Sequence, residues 1–316
     1  MRTLHLAALA LVTTLAACAS TPDSGTVGDL GIDTSTIEPQ NGPQPGPHGQ
    51  PEPGEGPMLG VHHARPSGGG GTPGNMTLHG GEVMSSSFIK AIFWGASWSN
   101  ATFVGDKITG LDTLYGGLSG TAYADSNAEY GGINGTHVTN QSTYGGHLVD
   151  TSAAPSRAPK TSAILAEVCK MITSPVANGY YPVYTDTKRG SAGYCAWHSY
   201  GTCSGVPVQF GFFFNLDGDT GCDPADTTTG HSQGLAALAS VTGHEFSEAV
   251  TDPRNGGWYD SAGSENADKC AWSFPPTNVQ LGGQAWKIQG NWSNAAFTAG
   301  TGYANRDGQR GCLPAN

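Results

Sequence analysis

The segment SQGLAALASVTGHEFSEAVTDP, residues 232–253, constrains this chain more than any other. Its Ala and Leu content favours a helix, and Asp252-Pro253 supplies a stop, because proline disfavours the helical region for the residue before it. The half that precedes His244 is apolar and Ala-rich, so the helix is expected to be buried. His244, Glu245 and Glu248 then enter an apolar setting, where ionisable groups need a partner or a metal. Any fold the chain adopts has to surround this helix and satisfy those three groups.

Residues four apart lie on one face of a helix. His244 and Glu248 can therefore reach one ion while Glu245 projects beside them. A catalytic zinc centre needs about three protein ligands and an open position for water, whose proton an adjacent carboxylate takes. The spacing assigns His244 and Glu248 as metal ligands and Glu245 as the base. Glu265, in SENADKC, is the expected third ligand, at about the offset gluzincin peptidases use for theirs, with Asp268 and Asp252 as alternatives. One imidazole and two carboxylates form a harder set than two imidazoles and one carboxylate, so Zn2+ would be held less selectively, and Mn2+ or Ca2+ enters consideration. HExxE is also a less specific pattern than HExxH, and its structural alternative is a helix whose His and carboxylates pair with each other.

Two further stretches hold chemistry-bearing side chains. NLDGDTGCDPAD offers Asp217, Asp219, Asp223 and Asp226 as oxygen ligands for Ca2+, without the spacing of an EF-hand. The plainer reading is a solvated turn. In CAWHSYGTC, a Cys195–Cys203 disulfide would close a small loop presenting Trp197 and His198, with His198 satisfied by ordinary hydrogen bonds. No GxSxG motif supports serine nucleophile chemistry.

The chain opens MRTLHLAALALVTTLAAC, one basic residue and a short apolar run, which reads as a secretory signal. Leu15-Ala16-Ala17-Cys18 resembles the bacterial lipobox, so residues 1–18 are expected to be a lipoprotein signal peptide with Cys18 as the lipid anchor. Residues 19–75 are rich in Pro, Gly, Thr and Asp and are expected to be a disordered tether, with His62-His63 an exposed polar pair. Residues 76–316 remain for a single extracytoplasmic domain. Its six cysteines, Cys169, Cys195, Cys203, Cys222, Cys270 and Cys312, predict three disulfides without fixing which pair. Lys and Arg number 14 against 25 Asp and Glu, with no basic cluster, which argues against nucleic acid as a partner and leaves the lipid anchor as the membrane attachment. The sequence is silent on oligomeric state.

Within the domain, FIKAIFW, YYPVYTD and VPVQFGFFFNL read as strands, the last central. Phe103, Ile108, Leu111 and Leu114 recur at helical spacing up to Gly116-Gly117, and TSAILAEVCKMI repeats that spacing. The Gly-, Asn- and Thr-rich stretch from Tyr123 to Asp150 reads as short antiparallel or edge strands. The expected fold class is α+β, a zincin-like mixed sheet with an active-site helix, stabilised by disulfides.

Taken together, LHGGEVMSSSFIKAIFWGASWS, CAWHSYG, FFFNLDGDTGCDPAD and LASVTGHEFSEAVTDPRNGGWYDSAGSENADKC resemble the phosphate-induced protein 1, or EXORDIUM-like, family across most of residues 78–275. That resemblance implies a secreted or cell-wall protein. Plant members have no established enzymatic activity and lack the His-Glu pair, whereas bacterial relatives resemble this chain in having HExxE. The expected function is extracytoplasmic metal-dependent peptide hydrolysis, with an edge strand from the 130–150 region aligning an extended peptide. The alternative is a non-catalytic binding module whose Trp258, Tyr259, Trp272, Trp286 and Trp292 stack on sugars of a cell-wall polymer.

Overall fold

Strands as apolar as FIKAIFW and VPVQFGFFFN need cover on both faces. The structure, a computed structural model describing residues 57–65 and 74–314, supplies it. All described residues belong to one unit of contacts, Asn41–Asn316. In chain order the strands are β1 (Leu59–His63), β2 (Thr77–Leu78), β3 (Ser87–Trp94), β4 (Ser142–Asp150), β5 (Gly179–Lys188), β6 (Tyr194–Cys203), β7 (Val206–Asn215), β8 (Trp258–Tyr259), β9 (Val279–Leu281), β10 (Gln284–Trp286), β11 (Asn291–Trp292), β12 (Tyr303–Ala304) and β13 (Arg310–Leu313). The helices are α1 (Ala101–Val104), α2 (Lys107–Gly116), α3 (Ala122–Asp125), α4 (Thr161–Met171), α5 (Gln233–Thr251) and α6 (Asn294–Ala299).

A six-stranded mixed sheet runs in the order β1-β6-β7-β5-β3-β4. β4, β3, β5 and β7 are parallel, β6 is antiparallel to β7, and β1 is antiparallel to β6. Side chains alternate across a strand. On β6, Gly201 lies against Leu165 of α4 and Cys203 is bonded to Cys169 of α4, so the even-numbered residues, His198 among them, face the other way, toward α5. On β5, Tyr180 stacks edge-on to Phe246 and the Tyr184 hydroxyl lies 2.8 Å from Thr242 Oγ1, both on α5.

α5 is buried along nearly its whole length, from Gly234 to Thr251. The Ser232 side chain caps it by accepting from Leu235 N–H, and Asp106 accepts in turn from Ser232. Gly243 interrupts the Ala-rich run because a Cβ there would lie 2.5 Å from the Tyr123 hydroxyl. At the other end, Asp252 closes the helix and accepts from the N–H groups of Gly256 and Gly257, turning the chain back under it. The segment after α5 forms two small sheets, β9-β10 and β11-β13-β12, and β8 pairs with β2.

The mixed α+β class and three disulfides agree with the sequence. The pairing is Cys169–Cys203, Cys195–Cys222 and Cys270–Cys312. The expected Cys195–Cys203 loop is wrong, because CAWHSYGTC is strand β6: residues eight apart in a strand stand about 26 Å from each other, far beyond disulfide reach. The 130–150 region holds one strand, β4, parallel rather than antiparallel, at the opposite edge of the sheet from β1. It therefore lies far from α5's His-Glu face. Part of the stretch expected to be a tether is a strand instead: Leu59–His63 belongs to the sheet, and His62 is fully buried. Residues 19–56 and 66–73, like Cys18 and the signal segment, lie outside the described residues. Of the five aromatics expected to meet sugars, Trp272, Trp286 and Trp292 are core side chains, and Trp258 and Tyr259 are half-buried.

Candidate metal centre

α5 brings His244 Nε2 within 3.1 Å of Glu248 Oε2. The turn after β8 adds two more acids. Asp268 Oδ1 lies 3.6 Å from His244 Nε2, and its backbone N–H donates to Glu248 Oε1 at 2.8 Å. Glu265 meets His198 of β6, with 3.4 Å between Oε1 and Nε2. Ligand-capable atoms of His244, Glu248 and Asp268 all lie within 4.8 Å of one another, as do those of His198, Glu248 and Glu265. The two trios share Glu248. Asp268 is the most exposed of the five, its side chain 19 % accessible, and the others are sealed from solvent.

Buried polar atoms without a hydrogen-bond partner collect here: Nε2 of His62 and His244, Nδ1 of His198, both carboxylate oxygens of Glu245, and Oε2 of Glu248 and Glu265. Leaving such a group unsatisfied costs roughly 1–3 kcal/mol, and more when it is charged. Of these residues His244, Glu248, Glu265 and His198 belong to the two trios, whose ligand-capable atoms lie close enough to meet one ion, and a divalent cation accepts lone pairs from imidazole and carboxylate alike.

The electrostatics agree. Burial holds the carboxyl groups of Glu245, Glu248, Glu265 and Asp268 well above the usual range, and for Glu245 and Glu265 the neighbouring acids push further upward. Burial likewise pulls His198 and His244 down to about 3 and His62 well below its ordinary value. The imidazoles are therefore neutral, the form that ligates metals, and burial disfavours the charged form of the acids beside them.

Two groups orient the His244 ring. The Gln289 amide is oriented by the Trp272 backbone N–H on its oxygen and by the Ala267 carbonyl on its nitrogen, so its second N–H donates to His244 Nδ1 at 2.7 Å. His62 Nδ1 lies 2.8 Å from the same nitrogen, so Gln289 and His62 together hold the ring with Nε2 toward Glu248.

β1 covers the centre. At Gly60, with φ of +47°, a Cβ would stand 1.9 Å from Glu248 Oε2 and 2.7 Å from His198 Nε2, so only glycine fits. Trp272 holds the strand down: its ring lies 4.7 Å from the His62 ring, its Nε1–H donates to the His63 carbonyl, and the Arg65 guanidinium sits 4.5 Å above it.

The sequence-predicted residues are thus brought together in part. His244, Glu245, Glu248, Glu265 and Asp268 share one centre, with Asp268 rather than Glu265 beside His244. Asp252 accepts the Gly256 and Gly257 amides on Oδ1 and keeps Oδ2 unpartnered, but it belongs to neither trio. The acids expected to hold Ca2+ do not converge: Asp217 pairs with Lys107, Asp219 with Arg189, Asp223 caps Ala225 N–H, and Asp226 binds Thr228 and Thr229. His198 is a core residue hydrogen-bonded to Glu265, as expected, and also belongs to a ligand-capable trio, whereas His62 is a buried neighbour of His244 rather than an exposed residue. Sequence signals for both existed, in the apolar flanks of LGVHH and in the alternation of YCAWHSYGTC. The chain matches no family model, no curated protein and no solved structure, so its function has to be argued from this centre.

Proposed function

We propose that the chain is an extracytoplasmic metal-dependent peptidase of zincin-like design, with a divalent cation, Zn2+ foremost, held by His244, Glu248 and Asp268 and with His198 and Glu265 on the far side of Glu248. The observation that supports this reading is the gathering of unpartnered His and carboxylate atoms around Glu248. An ion there would polarise a peptide carbonyl and lower the pKa of water toward about 7. Glu245 is the base: it lies beside Glu248 with no side-chain hydrogen-bond partner, placed to take a proton from a water admitted to the centre. The three disulfides fit an oxidising compartment. Among the described residues no helix is long and apolar enough to cross a membrane, and attachment through Cys18 is part of this proposal.

The sealing of the centre by β1 favours a second reading, a cell-surface module in which the ion is structural. Elemental mass spectrometry and peptide hydrolysis separate the two. The peptidase reading expects one equivalent of metal, lost in His244→Ala and Glu248→Ala, and peptide cleavage abolished in Glu245→Gln with the metal retained. Metal without cleavage of any peptide, even after β1 is displaced, supports the structural ion. No bound metal after reconstitution removes both.

A further inference from the structure

Without β1, strand β6 would be an edge of the sheet, bordering the centre directly. β1 completes it as a short antiparallel strand, with Leu59 opposite His198, His62 opposite Ala196 and His63 opposite Tyr194, and with its register broken between Leu59 and His62. Across that break the main chain passes over the centre. Gly60 stands against Glu248 Oε2 and the His198 ring, and the His62 N–H points at Glu245. An extended chain thus crosses the shared ligand and the base while hydrogen-bonded to a sheet edge, the arrangement by which extended peptides dock on sheets. Among the described residues β1 pairs only with β6, and it is further held by the Trp272 contacts, by the Ser199 hydroxyl donating to the Pro57 carbonyl at 2.8 Å, by the Ala64 and Arg65 N–H groups donating to the Gly193 and Gly221 carbonyls, by the His62–His244 contact and by burial of Met58, Leu59, Val61 and Ala64. The ligand-capable residues of both trios lie on α5, β6 and the 265–268 turn, so they stay in place when β1 leaves, without the His62 contact to His244.

We propose that the groove along β6, over Glu248, is an extended-peptide site which residues 57–65 of this chain fill as an internal mimic. The partner it fits is an extended peptide with glycine over Glu248. Reading that peptide as a substrate rests on the metallopeptidase proposal; its docking does not. A covalently tethered occupant acts at an effective concentration of about millimolar, so the resident strand excludes free peptides until it is displaced.

The test uses the full chain and a fluorescently labelled nonapeptide of the native sequence of residues 57–65, PMLGVHHAR. Gly60→Val forces the resident strand out, because its side chain overlaps Glu248. By fluorescence anisotropy the Gly60→Val chain should bind the peptide saturably and at least ten-fold more tightly than the wild-type chain does, and should not bind a peptide carrying valine at the glycine position. A Gly60→Val chain that melts cooperatively with its disulfides intact, yet binds no peptide, overturns the proposal. Should that variant not fold, hydrogen exchange on the wild-type chain decides: amides of β1 exchanging at least ten-fold faster than those of β7, and slowed by excess peptide, support a displaceable strand, whereas equal protection makes β1 a core strand and overturns it. Both titrations are run with zinc and with chelator. Peptide binding by a chain that holds no metal sustains the groove and removes the metallopeptidase reading; metal retained without peptide binding does the reverse.

Discussion

Two acidic regions of this protein differ in what their oxygens do. In the loop between β7 and α5, Asp219 receives Arg189 through two nitrogens and the Gly221 and Cys222 amides, and Asp217 is paired with Lys107. Asp226 holds two threonine hydroxyls and two amides. At the end of α5, Glu245 has no hydrogen-bond partner on either oxygen, and Glu248 and Glu265 each keep one oxygen unmet, though all three are more deeply buried. The sequence marks both regions as cation sites because it counts carboxylates. The structure separates them: the loop acids each pair with a different group and form no ligand-capable cluster among the described residues, whereas the acids at the end of α5 converge with unpartnered oxygens buried beside histidines.

The comparison breaks first at Glu248, the carboxylate both trios share. Glu248→Gln keeps the shape and removes the charge, and should weaken zinc binding more than about 100-fold by competition with a chromophoric chelator, whereas Asp219→Asn should leave it unchanged. Next is His62→Ala, which removes a ring 2.8 Å from His244 Nδ1 that helps to orient it. A loss of about 10–100-fold in zinc affinity is expected from removing such an outer partner, and an unchanged affinity would discard that orienting role.

The third prediction concerns pH. Unfolded, these acids lose their protons near about 4 and the histidines near about 6.5. In the metal-free fold the carboxyl groups of Glu245, Glu248, Glu265 and Asp268 are held well above their ordinary range, so above the unfolded value the unfolded chain binds fewer protons, and stability falls as pH rises. His198 and His244, at about 3, oppose this trend only below about 6.5, where the unfolded imidazoles are charged. Above about 6.5 the stability of the metal-free protein should therefore fall as pH rises, by about 1.4 kcal/mol per pH unit for each carboxyl proton the fold still holds, while the zinc-loaded protein shows no such fall. Differential scanning calorimetry of the two forms checks the sign. The smallest effect is expected at Asp223→Asn, which keeps the turn to Ala225 N–H and should change stability by less than about 0.5 kcal/mol by thermal melting and zinc binding not at all.

What the sequence disclosed of the centre is what lies close together along the chain. His244, Glu245 and Glu248 follow from one helical repeat, and Glu265 and Asp268 from the turn that Asp252-Pro253 sets up. His62 and His198 arrive from across the sheet, His62 from 182 residues away along the chain from His244, and no local spacing announces such a partner. β1 was hidden by its surroundings: five ordered residues inside a Pro- and Gly-rich tract do not shift the composition. β6 was hidden by Cys195 and Cys203, whose proximity in sequence suggested a closed loop although their true partners lie on other elements. β4 shows the one-sided exposure typical of antiparallel strands, its residues alternating half-buried and exposed, because an edge strand is covered on one face whichever way its neighbour runs.

The most direct test of the central claim is anomalous X-ray scattering at the zinc edge from crystals of the full chain grown with zinc. The account predicts a peak within ligand distance of Glu248, about 2.0–2.2 Å from its oxygen, with His244 and Asp268 in the same shell and no peak in the loop from Asp217 to Asp226. A zinc-loaded crystal with no peak beside Glu248, or with its peak on that loop, would contradict it.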